Sequence, residues 1–265
     1  MNNDRFAQYG AATGIAFVVL LVVGFLIVTP TPPDLNAPSQ EWSSYFLAHH
    51  SAVRAGIVLV AISLGFFIWF VGTLASVLRV AAGSPRLPSI AFAGGVLGAA
   101  SVMVAIAAAS VAAYRPQGVD PLVTRALNDI GVMTAVAGIP AFAVLFLATA
   151  LVILRFGALP AWLGWLSLVA AAVQPLTFGI LFTKGGAFAG DGVLGLFLPL
   201  GVALVAIFAI SVLLTSWERQ AMRPGGMSVT DRIRGAVSGA AAGAAAGVRG
   251  EQVTTGQRPG QRPGQ

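Results

Sequence analysis

The sequence predicts an all-α polytopic membrane bundle of six transmembrane helices with a disordered C-terminal tail. Three observations carry this. Six runs hold no Asp, Glu, Lys or Arg, at 6–33, 55–78, 87–114, 130–154, 156–183 and 192–217. Each exceeds the ~20 residues that cross a bilayer core as a helix. Second, 57% of the residues are hydrophobic and only 9% are charged. A soluble domain carries about 25% charged residues, so this chain cannot cover a water-facing surface. Third, the runs do not alternate apolar and polar at period two, as a membrane barrel would. Helices remain, because they satisfy their own backbone groups in lipid. The chain then divides into a transmembrane domain over 1–217 and a cytoplasmic tail over 218–265, with spans near 9–29, 54–78, 88–114, 129–154, 161–183 and 193–217.

The first apolar stretch, Ala11 to Val28, is longer than the ~7–15 residues of a signal-peptide core, and no A-x-A site follows it. It reads as an uncleaved first span. Gly10 and Gly14 give one G-x-x-x-G spacing, suited to close helix packing. The loop after it opens Thr29-Pro-Thr-Pro-Pro33, which no helix tolerates. A helical period returns from Ser39 to His50, with Trp42, Tyr45, Phe46 and His49 on one face. It predicts a short helix lying on the outer surface.

The third run is rich in small residues, among them Ala91, Gly94, Gly95 and Gly98. Such residues let backbones approach, which predicts a place in the middle of the bundle. Asp120-Pro121 is a helix start, with Asp120 as N-cap and Pro121 at the first helical position. The helix from Pro121 carries Arg125 and Asp129 at i, i+4, in the less favourable order for an ion pair. The fifth run begins Arg155-Phe-Gly-Ala-Leu-Pro-Ala-Trp162 and reaches Lys184 without a charge. Trp162 and Trp165 suit the headgroup level. Ser228-Val-Thr-Asp231 resembles a capping box and opens a marginal, glycine-rich helix. The repeated Gln-Arg-Pro-Gly at 257–264 has nothing apolar to bury and predicts disorder.

Basic residues set the orientation. Arg5, Arg79, Arg86, Arg155, Arg219, Arg223 and the tail arginines fall on one side of a six-span chain, and Arg54, Arg115, Arg125 and Lys184 on the other. The positive-inside rule then places both termini in the cytoplasm. The formal charge of +6 thus records topology, and no nucleic-acid partner is needed to explain it. The chain has no cysteine, which removes thiolate chemistry and disulfides.

Three stretches resemble a bacterial family of multi-span membrane proteins known as a domain of unknown function. They are Leu159-Pro-Ala-Trp-Leu-Gly-Trp-Leu-Ser-Leu-Val-Ala170, Gly186-Ala-Phe-Ala-Gly-Asp-Gly-Val-Leu-Gly195 and Arg5-Phe-Ala-Gln-Tyr-Gly-Ala11. The resemblance covers roughly Arg5 to Trp217. It implies a multi-pass protein of the bacterial plasma membrane, and it brings no catalytic residues to transfer.

Candidate chemistry lies at depth in the last three spans. Pro140, Pro175 and Pro199 stand 8 to 11 residues from Asp129, Lys184 and Asp191, or ~12–17 Å below those charges. Each proline frees a carbonyl that another group must satisfy. Gln174 and Thr177 lie beside one of them. This pattern predicts an outward-opening cavity with Gln174 and Thr177 at its floor and Asp129, Lys184 and Asp191 at its mouth. Gln174 serves equally as packing glue between helices.

No metalloprotease, esterase or nucleotide-binding motif occurs, and no cofactor is expected. His49 and His50 are adjacent on a helix, so they point about 100° apart and do not chelate one ion. Ser63, Ser101 and Ser110 sit in apolar runs, where hydroxyls bond back to their own helix. No acid or base stands inside a span, which disfavours a proton- or cation-coupled pump. Two readings stand. One is a non-enzymatic membrane protein that binds a lipid, a small amphipathic molecule or a partner helix. The other is a transport protein with proline-hinged fourth to sixth spans.

Overall fold

The computed structural model describes residues 3–28, 32–115, 117–183, 185–190, 192–221 and 226–239, with only the backbone for 3–8. The expected disorder of the last repeats and most of the Pro-rich segment after the first span fall outside these residues, as do Lys184 and Asp191. The described chain is helical: α1 Asn3–Val28, α2 Ser39–Ala82, α3 Arg86–Tyr114, α4 Pro121–Ala137, α5 Ile139–Phe156, α6 Ala161–Val173 and α7 Leu198–Ala221. A short helix over 229–239, α8, follows. The α4 and α5 helices form one span, α6 runs on as a 3-10 segment over Gln174–Leu181, and a π-helical turn over Val193–Phe197 leads into α7. Six helices are long and apolar enough to cross a membrane. The protein is an all-helical, multi-pass membrane bundle.

The spans form a closed ring. Each packs on its neighbours in sequence, and α7 returns to pack on α1. Ser211 Oγ donates to Ala11 O across that last seam. The centre is filled by phenylalanines: the Phe67 ring lies 4.8 Å from Phe17 and 6.1 Å from Phe142. Phe67 and Phe70 are fully buried, so the axis is a packed core.

Glycines set how closely the spans approach. Gly14 lies against Phe70 and Ser211, Gly10 against Thr73, and Gly24 against the backbone of Gly56. The first span thus packs through the small-residue face its sequence suggested. On α3, a Cβ at Gly94 would stand 2.6 Å from Ala141 O, and one at Gly95 2.6 Å from the Val71 side chain. The expectation that α3 sits in the middle is corrected. It lies on the ring between α2 and α5, with 22% of its apolar window buried against 56% for the α4–α5 span. Small residues there serve close contact on one side, and the other side is exposed.

The predicted surface helix also differs. Ser39 to Ala82 is one helix of 44 residues, bent at His49 (φ −116°, ψ 15°). At 1.5 Å per residue it is ~66 Å long, about twice the hydrocarbon thickness, so its first turns project beyond the span. Their aromatic face does not lie on lipid. Trp42, Tyr45 and Phe46 are buried with Val53 against Ala112 and Ala113 of α3. No proline or glycine separates His50 from Arg54, so nothing ends the helix there.

Turns follow the expected chemistry. Gly83 and Gly157 end α2 and α5 in the left-handed region at φ 59° and 66°, where a side chain would be strained. The Asp120 carboxylate accepts from Leu122 N at 2.8 Å, with Pro121 opening the helix. Ser228 and Asp231 close the small box that starts α8. Its Val229 and Ile233 are buried in the main core, so α8 is anchored.

Gly94→Leu drives a side chain into the α5 backbone and should destabilise the protein by about 1–3 kcal/mol. Gly65, whose Cβ position is open, should accept alanine with no loss. Melting temperatures of the two variants in detergent check this contrast.

Candidate functional site

The predicted floor residues do turn inward. Gln174 and Thr177 are 4% and 6% exposed. Gln174 stands at the junction where α6 tightens into the 3-10 segment, and Pro175 follows it at the first positions of that segment. Its amide Nε2 donates to Pro199 O at 3.4 Å, longer than the 2.7–3.2 Å of a good N–H···O bond. Pro199 is buried in the first turn of α7, just after the π-helical turn. Two departures from α geometry therefore meet, one on each of the last two spans, joined through Gln174. Pro140 and Pro175 are exposed. The structure brings Gln174 and Pro199 together directly, with Thr177 buried on the same 3-10 segment.

A loop folds down over this junction. Phe188 packs on Gly179 of the 3-10 segment, and Ala189 is buried at 3% exposure. The Ala187 carbonyl accepts from Leu194 N at 2.8 Å and from Gly195 N at 3.1 Å. These are donors that a helix start leaves unpaired, and here the chain itself satisfies them. Leu35, from the loop after α1, presses on Gly190. Lys184 and Asp191, expected at the mouth of the cavity, fall outside the described residues.

Asp129 works elsewhere. It pairs with Arg125 at 3.7 Å, and Arg125 also donates to Ala37 O and, at 3.2 Å, to Leu35 O. One guanidinium thus ties α4 to the loop after α1. Arg54 donates to Ala113 O at 3.0 Å, a carbonyl at the end of α3 that has no partner within its own helix. Tyr45 OH donates to Val28 O, the last carbonyl of α1. Burial pushes the Tyr45 phenol above its usual range, so it stays a donor at neutral pH. These three side chains clamp the ends of three spans around the Trp42–Phe46 cluster. Sequence reading missed the clamp. The partners of Arg125 lie about 90 residues upstream, and no local spacing reports them.

Catalytic groups are not in view. Ser63, Ser101 and Ser110 donate to Val60 O, Gly98 O and Ile106 O of their own helices. His49 and His50 hold their Nδ1 atoms 3.2 and 3.0 Å from the Tyr45 and Leu47 carbonyls. Among the described residues no group of three or more His, Asp or Glu stands together as a metal site. Fold and site together define a class: an integral membrane protein, all-helical, without an evident nucleophile, acid–base pair or metal centre among the described residues. No known family, curated protein or solved structure matches the chain, so its class rests on its own geometry.

The clamp yields a contrast. Arg125→Met should cost about 1–3 kcal/mol, because two loop carbonyls lose a charged donor. Arg125→Lys should recover less than half of this, since an ammonium lacks the planar fork. Asp129→Asn should cost at most about 1 kcal/mol, as a half-exposed pair does. Thermal unfolding in detergent ranks the three.

Proposed function

We propose that this is a non-enzymatic membrane protein that holds a lipid or small amphipathic molecule in an outward-facing cavity among its last three spans. Gln174 and Thr177 form the floor, and Pro199 receives the amide. The observation that carries the reading is the Gln174 amide: almost wholly buried, at the meeting of a 3-10 and a π-helical segment, on a long bond. A polar group in that setting costs stability unless paired, and π-helical turns cluster at functional sites. Pocket ligands are commonly oriented by a few such groups in apolar walls.

Transport is the second reading. Broken helices facing each other are how many carriers build a site and a hinge. With the ring axis packed by Phe67 and Phe17, a solute would pass beside the last two spans. We place the basic face, which carries Arg79, Arg86, Arg155 and Arg219, in the cytoplasm of a bacterial cell. The positive-inside bias supports that side.

Mass spectrometry of the protein purified in mild detergent tests the binding reading. Wild type should carry a bound amphiphile, and Gln174→Leu with Thr177→Val should lose at least about nine-tenths of it, the effect of ~1.4 kcal/mol. An equally loaded double variant would overturn this. Uptake of labelled solutes by proteoliposomes, absent with the empty vesicle, would move the assignment to transport. A cysteine at Ser238 should resist a membrane-impermeant thiol reagent in intact cells and react after lysis; labelling in intact cells inverts the topology.

A further inference from the structure

The seam between α3 and α5 carries two arginines at one level. Gly94 of α3 meets Leu145 of α5, and Ser101 meets Gly138, so the two helices run antiparallel. Arg86 lies eight residues from Gly94 and Arg155 ten from Leu145, both toward the same end of the bundle. At 1.5 Å per residue their levels differ by about 3 Å. Their directions follow from the helical turn. Arg86 is about 80° round α3 from the Gly94 contact, on the side away from Gly95 and its α2 neighbour Val71. Arg155 is about 80° round α5 from Leu145, on the side away from Ile153, which meets Gly164 of α6. Because the helices run opposite ways, both turns bring the arginines to one outer face. Trp165 stands about 100° round α6 from Gly164, away from the buried Leu163, and joins the same face at 60% exposure.

The charge on this face is of one sign. Helices α3, α5 and α6 contain no Asp or Glu. Arg86 and Arg155 are exposed, and the Arg155 guanidinium rests against the Phe156 ring, 5.7 Å from its centre. Each arginine bounds a charge-free run, so both stand at the headgroup level, where an exposed tryptophan also belongs. The wall that descends from them is apolar: Ile90, Val144 and Leu151 are exposed to lipid. A guanidinium offers a phosphate two parallel N–H donors. A zwitterionic lipid already supplies its phosphate with a cation of its own, whereas an anionic phospholipid does not. Basic groups at a membrane surface attract anionic lipids for that reason.

We infer that this outer face of α3, α5 and α6 binds an anionic phospholipid, its phosphate between Arg86 and Arg155, its headgroup beside Trp165 and its acyl chains over Ile90, Val144 and Leu151. The site lies at the opposite end of α6 from Gln174 and is independent of the function proposed for that junction. The test uses the full-length protein, reconstituted in vesicles of phosphatidylglycerol and phosphatidylcholine in equal amounts. One lipid at a time carries bromine on its acyl chains, which quenches a neighbouring indole. Brominated phosphatidylglycerol should quench tryptophan emission more than brominated phosphatidylcholine, with each arginine raising the local ratio of the two lipids roughly fivefold. Arg86→Gln with Arg155→Gln should bring the lipids level at an unchanged melting temperature. Trp165→Phe should remove most of the excess quenching, which places the bound lipid. Equal quenching by the two lipids in wild type overturns the inference, whatever the variants do. So does an excess that survives the double arginine variant or the loss of Trp165, since general attraction to a basic surface would then account for it.

Discussion

Every backbone donor and acceptor inside hydrocarbon must find its partner within the protein, and the rest of this structure follows from that constraint. Regular helix meets it over most of each span. The informative places are those where helix stops. There the molecule supplies substitutes from a distance: Tyr45 for the end of α1, Arg54 for the end of α3, and the Ala187 carbonyl for the start of the last span. The clamp on the less basic face is the sum of such repairs. Its aromatic cluster keeps the carbonyls dry, and its guanidinium groups serve them because a planar cation reaches two acceptors at once.

The two departures from α geometry differ from these repaired ends. At the ends, short bonds complete the pairing. At Gln174 the bond is long, at 3.4 Å, and it joins the two spans close to their irregular segments. There an amide on one span bonds a backbone carbonyl on the next, as polar side chains do between packed membrane helices.

What the sequence made legible is what local chemistry determines. Charge-free runs reported the six spans, Asp120-Pro121 the start of α4, and Ser228 to Asp231 the start of α8. Back-bonded serines were foreseen because a hydroxyl in an apolar helix has no nearer acceptor. The errors share one cause. The aromatic face of residues 42–46 reads the same whether lipid or α3 covers it, and only the fold decides. The small residues of α3 reported close approach correctly but not how many neighbours approach. The inward turn of Gln174 and Thr177 was legible because polar groups stand out in an apolar run. Arg125 was noted for its weak local partner, Asp129, and its main partners were hidden by distance along the chain.

The seam between the first and last spans joins residues 200 positions apart. During synthesis, domains emerge amino end first, so α1 reaches the bilayer long before α7 exists. Until then the face bearing Gly14 lacks Ser211, its eventual neighbour there, and lies against lipid or whatever escorts nascent chains. Completion of the ring thus waits for the sixth span. A ribosome that stalls before the sixth span leaves an open horseshoe, its unpaired edge ready to be captured by quality control.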